Sequence, residues 1–309
     1  MHPAFSVLIF TVVSGAGYGL IFLAILGHLS GLAVLQNPSL LLGSGVLSLV
    51  MISVGLLSST LHLANPKNAW RAFSRFKTSW LSREAVFAIL FYPFALLYLI
   101  GVWLQGAEIA AVFSLAGWVA AALAMVTLFC TSMIYASLKT IRQWNSALTP
   151  VSYLALGLMS GAVLLLMLQI MVDQAASEVL KNVALTLLCV GVTVKVIYFF
   201  WIGKPSGSSI KTATGFTQAS VRLLDQGHSS NGFLNNEFGY TVGANKLLRI
   251  RFLAIAIAFF LPMLLICLSG PFALVMATLA MLAGLLAERW LFFAEARHVV
   301  RMFHGDQTV

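Results

Sequence analysis

Charge is the scarcest property of this sequence. Only 9% of its 309 residues are Asp, Glu, Lys or Arg, against about a quarter in soluble domains. Such a chain has too little polar surface to be an ordinary soluble globule. Cysteine is almost as scarce. Cys130, Cys189 and Cys267 all lie within apolar runs, with no metal-ligand spacing among them. A disulfide framework and an intrinsic iron–sulfur cluster are therefore not expected. The first apolar run has no basic leader and is longer than a signal-peptide core, so no cleavable secretory signal is expected. Acidic residues number nine against eighteen basic ones, a formal net charge of +9. In so apolar a chain that excess does not point to nucleic acid. It points to cytoplasmic loops and anionic lipid.

What the sequence has is hydrophobic length. Its residues are 60% apolar, gathered into blocks of about twenty, enough to cross a bilayer as a helix. Eight such blocks are predicted, near 5–29, 39–62, 84–104, 110–136, 150–172, 179–202, 250–269 and 272–296. The fold class is all-α: a polytopic membrane protein, a bundle of eight transmembrane helices forming a single transmembrane domain over 1–309. Most connections are short, and the last two blocks meet in a tight Ser-Gly-Pro turn, "LSGPFAL". The exceptions are 62–84 and 203–249, the latter a long polar loop rich in Gly, Ser and Asn. No internal repeat is apparent.

An even number of spans puts both termini on one side. Fifteen of the eighteen basic residues fall there: five in 62–84, Lys139, Arg142, five in 203–249, then Arg251, Arg297 and Arg301. The opposite loops hold Lys181, and Lys195 and Arg289 lie within spans. By the positive-inside rule the basic side is cytoplasmic.

The stretch "HLANPKNAWRAFSRFKTSWLSRE" runs from His62, closing the second span, to Glu84, opening the third. Both residues are thereby expected at one headgroup boundary. Trp70, Phe73, Phe76 and Trp80 interleave with Arg71, Arg75 and Lys77, a composition that lies flat on an interface with rings down and cations up. A quinone headgroup needs such surroundings: an apolar ring site, donors for two carbonyl oxygens, and two protons for each two-electron reduction. A His that bonds one carbonyl and a nearby carboxylate that exchanges protons with water supply that chemistry. The plainer reading is an ordinary basic, Trp-bearing membrane anchor, and the residues alone leave both open.

Other positions have similar pairs of readings. "SGAGYG", Ser14–Gly19, has the look of a nucleotide loop, but it sits inside a span with no preceding strand, so close helix packing is expected instead. Lys195 and Glu288 lie within spans six and eight, each about two turns from the basic side. They are expected to pair or to line a proton path. Arg289 is a competing partner for Glu288, and Lys195 has the alternative of snorkelling. A membrane haem needs two His at matching depth on different helices. His28 has no partner at its face, His62 and His298 sit at helix ends, and His2, His228 and His304 are flanking. Haem b is not expected.

Two stretches resemble the membrane-anchor subunits of the dimethyl sulfoxide reductase family, the DmsC type. The first is His62, Leu63 and Pro66, followed by Ser79, Leu81, Ser82 and Glu84. The second, "MIYASLKTIRQWNSALTP", carries Tyr135, Trp144, Thr149 and Pro150. The opening "MHPAFSVLIFTVVSGAGYGL" and "VRLLDQGHSSNGFLNNEFGY" look closer to the sulfite dehydrogenase branch of that family. The resemblance implies an anchor without haem in a bacterial inner membrane. It implies an iron–sulfur subunit and a molybdopterin catalytic subunit as partners, with electrons exchanged with ubiquinone or menaquinone. It places the quinone at His62 and Glu84, where Arg71, Trp70 and Trp80 are the nearby candidates. Arg75, Lys77 and Arg222 become candidates for docking the iron–sulfur partner. The sulfite branch implies electron flow from sulfite to quinone; a quinol-oxidising dimethyl sulfoxide reductase anchor is the alternative. A secondary transporter, the rival of another class, predicts inverted repeats with broken helices at the midplane.

Overall fold

The computed structural model describes residues 1–61, 65–173, 176–203, 208–216, 218, 220–224, 238–304 and 306–308, with Pro66 as backbone only. His62, Leu63 and part of the loop 203–249 lie outside the described residues. Among the described residues, eight helices have the length and hydropathy to cross a membrane: α1 (Phe5–Leu29), α2 (Pro38–Thr60), α3 (Trp80–Gln105), α4 (Ala111–Ala136), α5 (Leu148–Asp173), α6 (Glu178–Ile202), α7 (Ala244–Cys267) and α8 (Pro271–Ala294). Among the described residues no strand is present, only two isolated bridges.

The helix boundaries follow local chemistry. Pro38 opens α2, and the Asn37 side chain accepts from the Ser39 amide at 3.0 Å. Ser79 caps α3, accepting from the Ser82 amide. That cap starts α3 at Trp80, four residues before the expected position, so Glu84 lies inside the helix rather than at its mouth. Similarly, α7 begins at Ala244 within the stretch read as loop. Its first turns are exposed and carry Lys246 and Arg249. Pro262 has no N–H for the carbonyl of Ala258, and just before it α7 widens into a π turn, Ala256–Phe260. A second π turn, Phe10–Ser14, interrupts α1.

The helices form two groups of four with the same neighbour pattern. In the first, α1 packs on α2 and α4, α3 on α4, and α2 on α3; in the second, α5 packs on α6 and α8, α7 on α8, and α6 on α7. Four spans per group give both groups the same orientation in the membrane, a parallel rather than an inverted arrangement. The central contact is α1 against α5. In their apolar windows 78% and 72% of residues are buried, against 28–44% in the other six helices. Glycine makes the approach possible. A Cβ on Gly19 would collide with the Gly157 carbonyl, and one on Gly161 would collide with the backbone of Gly19 and Leu20. "SGAGYG" is thus part of a helix-crossing surface.

Candidate functional site

Glu84 sits one turn into α3, roughly 6 Å of helical rise beyond Trp80. It is 4% exposed. Its side chain points into the packing of α3 against α4, where the Thr131 hydroxyl meets its Oε1. The same hydroxyl lies 3.0 Å from the Thr127 carbonyl. It has one hydrogen for two acceptors, which fits a carboxyl that changes protonation state. Ionised, Glu84 accepts from Thr131. Protonated, it donates to Thr131, and Thr131 donates to Thr127. Tyr18 of α1 is fully buried, and both Glu84 and Thr127 act on its hydroxyl. Thr131 and Tyr18 were not picked out from sequence. The available signal was a pair of small hydroxyl residues, Thr127 and Thr131, four apart and therefore on one helix face.

The aromatic-basic stretch forms a 3₁₀ segment, Pro66–Arg75, leading through a turn to the Ser79 cap. Trp70 is exposed, with the Arg71 guanidinium 5.7 Å from its ring. Trp80 is half-buried. Arg83 covers it at 4.2 Å, Phe129 meets it edge-on, and Arg83 also donates to the carbonyls of Phe76 and Lys77. Trp80 and Glu84 are thus brought together on the first turns of α3, whereas Trp70 and Arg71 remain outside that packing. Arg75, Lys77 and Arg222 are exposed. The expected role of His62 falls on a residue outside the described ones.

The second family-like stretch converges on one knot. Tyr135 and Trp144 meet edge to face at 5.2 Å, and the Thr149 hydroxyl donates to the Trp144 carbonyl at 2.8 Å. Trp144 stacks on Phe292 of α8 and donates its indole N–H to that residue's carbonyl at 2.8 Å. The spacing Tyr-Trp-Thr-Pro therefore ties the α4–α5 connection to the end of α8.

Behind this knot lies the most heavily buried ionic group among the described residues. Lys195 of α6 reaches Glu288 of α8 at 2.5 Å, and each side chain is 1% exposed. Arg289 grips the same carboxylate at 2.6 and 3.1 Å. The two cations are simultaneous partners rather than competitors, and Lys195 does not snorkel. Arg289 also lies 4.3 Å from the Tyr153 ring of α5. Nearer the basic end, Arg251 donates to Glu295 at 2.5 Å. Partial burial raises the Glu295 carboxyl above its usual value, and Arg251 opposes that shift. This pair was hidden from sequence because Arg251 was placed at the edge of its span.

On the opposite face, the buried His28 has both ring nitrogens engaged, Nδ1 with the Tyr98 hydroxyl at 2.9 Å and Nε2 with the Ala107 carbonyl at 2.8 Å. It ties α1 to the α3–α4 turn and has no free nitrogen for an axial bond.

Eight membrane-length helices around a glycine-lined crossing, with polar groups buried toward one end, define a polytopic membrane protein. The chain belongs to the DMSO reductase anchor subunit (DmsC) family, whose model matches residues 1–294. It is 33% identical to a sulfite dehydrogenase subunit of Allochromatium vinosum, over 98% of this chain and 99% of the relative. It is accordingly a membrane anchor subunit of an oxidoreductase.

Proposed function

We propose that this chain is the quinone-reactive anchor of a molybdopterin and iron–sulfur heterotrimer in a bacterial inner membrane, with both termini cytoplasmic. Glu84 is the observation that carries this reading. It is a buried carboxyl held by Thr131 in a way that suits both protonation states, one turn below an aromatic, basic surface segment. Quinone reduction needs such a group, because each quinone that takes two electrons also takes two protons. In this reading His62 bonds one quinone carbonyl. Trp80, Trp70 and Arg71 border the headgroup, and the isoprenoid tail stays in lipid. Arg75, Lys77 and Arg222, all exposed on the basic side, receive the iron–sulfur subunit. The relative named as a sulfite dehydrogenase subunit favours electron flow from sulfite to quinone.

The test is electron transfer in membranes containing the whole complex. In Glu84→Gln and His62→Ala, quinone-linked turnover should fall about ten-fold or more, while the soluble subunits still assemble and reduce an artificial acceptor. Quinone-linked rates near wild type in both variants would place the site elsewhere. Deleting the anchor should abolish sulfite-dependent quinone reduction. Loss of dimethyl sulfoxide-dependent quinol oxidation instead would reverse the substrate assignment.

A further inference from the structure

Arg83 stands next to Glu84 in the chain and has no task in the proposed function. Yet the interfacial segment, the start of α3 and the Trp80 ring are joined through it. Its Nε donates to the Phe76 carbonyl at 3.0 Å and its Nη2 to the Lys77 carbonyl at 2.8 Å. Both carbonyls belong to the turn between the segment Pro66–Arg75 and the cap Ser79. The same guanidinium lies 4.2 Å from the centre of the Trp80 ring, within the range of a cation–π contact. Phe129 of α4 meets that ring edge-on, with 6.0 Å between centres. Trp80 thus has two fixed partners, a cation of its own helix and a ring of the next. Other contacts tighten the turn itself. The Thr78 and Ser79 amides both donate to the Arg75 carbonyl, at 3.0 and 2.9 Å. Phe76 packs edge-on against Phe87 of α3, with 5.7 Å between ring centres.

These contacts fix the backbone of the turn, and Arg83 links that backbone to an aromatic side chain. An arginine suits the task. Its planar fork spans two carbonyls while its face covers an indole, whereas a lysine presents one compact charge. Its partners here are two carbonyls and a ring, all neutral, so the contacts are those of a clasp rather than of an ion pair. We propose that Arg83 is the positioning residue of the quinone headgroup site, holding the Trp80 ring and the end of the interfacial segment in one arrangement a single helical turn from Glu84. The proposal rests on the reading of Trp80 and Glu84 as parts of a quinone site. Arg83 acts through Trp80 and transfers no proton. Glu84 keeps its own support from Thr131 of α4 when Arg83 is changed. Loss of Arg83 therefore loosens the wall against which the headgroup packs and leaves the acid in place. A wall that touches ground state and transition state alike governs KM rather than kcat.

The experiment uses the whole complex in membranes, with Arg83→Gln, Arg83→Lys and Glu84→Gln compared side by side. Turnover is followed over a range of concentrations of a short-chain ubiquinone and a short-chain menaquinone. In Arg83→Gln the KM for quinone should rise about ten-fold, the order set by losing hydrogen bonds from a charged donor. Its kcat should stay within about two-fold of wild type, with artificial-acceptor activity unchanged. Arg83→Lys should be impaired nearly as much, because lysine keeps the charge but cannot bond both carbonyls and cover the ring. Glu84→Gln should show the opposite split, a fall in kcat with KM nearly kept. If Arg83→Gln does not accumulate, Arg83→Lys decides alone; failure of both to accumulate would mark a folding residue and overturn the proposal. Full recovery of KM by Arg83→Lys would show that charge alone matters and would overturn the clasp. Equal loss of quinone-linked and artificial-acceptor rates would do the same. Wild-type kinetics in both Arg83 variants with a dead Glu84→Gln overturn the positioning role and leave the quinone reading standing. Wild-type kinetics in all three overturn both.

Discussion

Lys195, Glu288 and Arg289 form a buried group of two cations and one anion. That imbalance makes the three unequal. Removing Lys195 leaves a neutral Glu288–Arg289 pair joined by two hydrogen bonds. Removing the charge of Glu288 leaves two cations facing each other in a site that is almost fully enclosed. Breaking a buried pair so that an uncompensated charge remains costs about 3–5 kcal/mol, whereas removing the surplus cation leaves the remaining two charges compensated. Lys195→Met should therefore accumulate in the membrane at close to the wild-type level and melt within a few degrees of it. Glu288→Gln should be strongly destabilised, and Glu288→Gln combined with Lys195→Met should recover part of the loss. Thermal unfolding in detergent measures all three. Equal destabilisation by the two single variants would show that the charge imbalance is not what the site senses.

At the scale of elements, the existence and number of the helices were readable from apolar length alone, because a bilayer demands about twenty apolar residues per crossing. What escaped was how those helices sit together. Hydropathy is nearly uniform around each span, so it marks no inward face, and the repetition of a four-helix arrangement left no repeat in the residues. The Lys195–Glu288 pair was legible because ionisable groups at equal depth have few other partners. The turn of Glu84 into the bundle was not, since it depends on Ser79 starting α3 four residues early. The glycines at the α1–α5 crossing give this scale its own test. Gly19→Ala would force a Cβ against the Gly157 carbonyl, backbone that has no side-chain rotamer to yield. It should sharply reduce the level of folded protein, as should Gly161→Ala. Gly43→Ala has open space around it and should be neutral. Thermal stability and folded yield of the three variants, expressed in parallel, decide the matter; a stable Gly19→Ala protein would mean that α1 and α5 stand farther apart.

For the whole molecule, the decisive property is which side faces the cytoplasm, because under the proposed function that fixes where the iron–sulfur subunit binds. Eight helices of membrane-crossing length among the described residues, an even number, are expected to put both termini on one side. Fifteen of eighteen basic residues fall on the terminal side by the sequence count, and a cavity bearing Arg251 and Glu295 is built partly from the C-terminal segment, including Gln307 and Thr308. Basic loops are retained on the cytoplasmic side during insertion. The expected orientation therefore puts the segment Pro66–Arg75, the cavity and the carboxyl end in the cytoplasm together. A green fluorescent protein fused after Val309 should fluoresce, and alkaline phosphatase at the same position should be inactive. Fusion in the opposite loop near Lys181 should give the reverse. Active phosphatase at the C-terminus would place that end on the outer face, and under the proposed function the iron–sulfur partner would then have to be an exported protein.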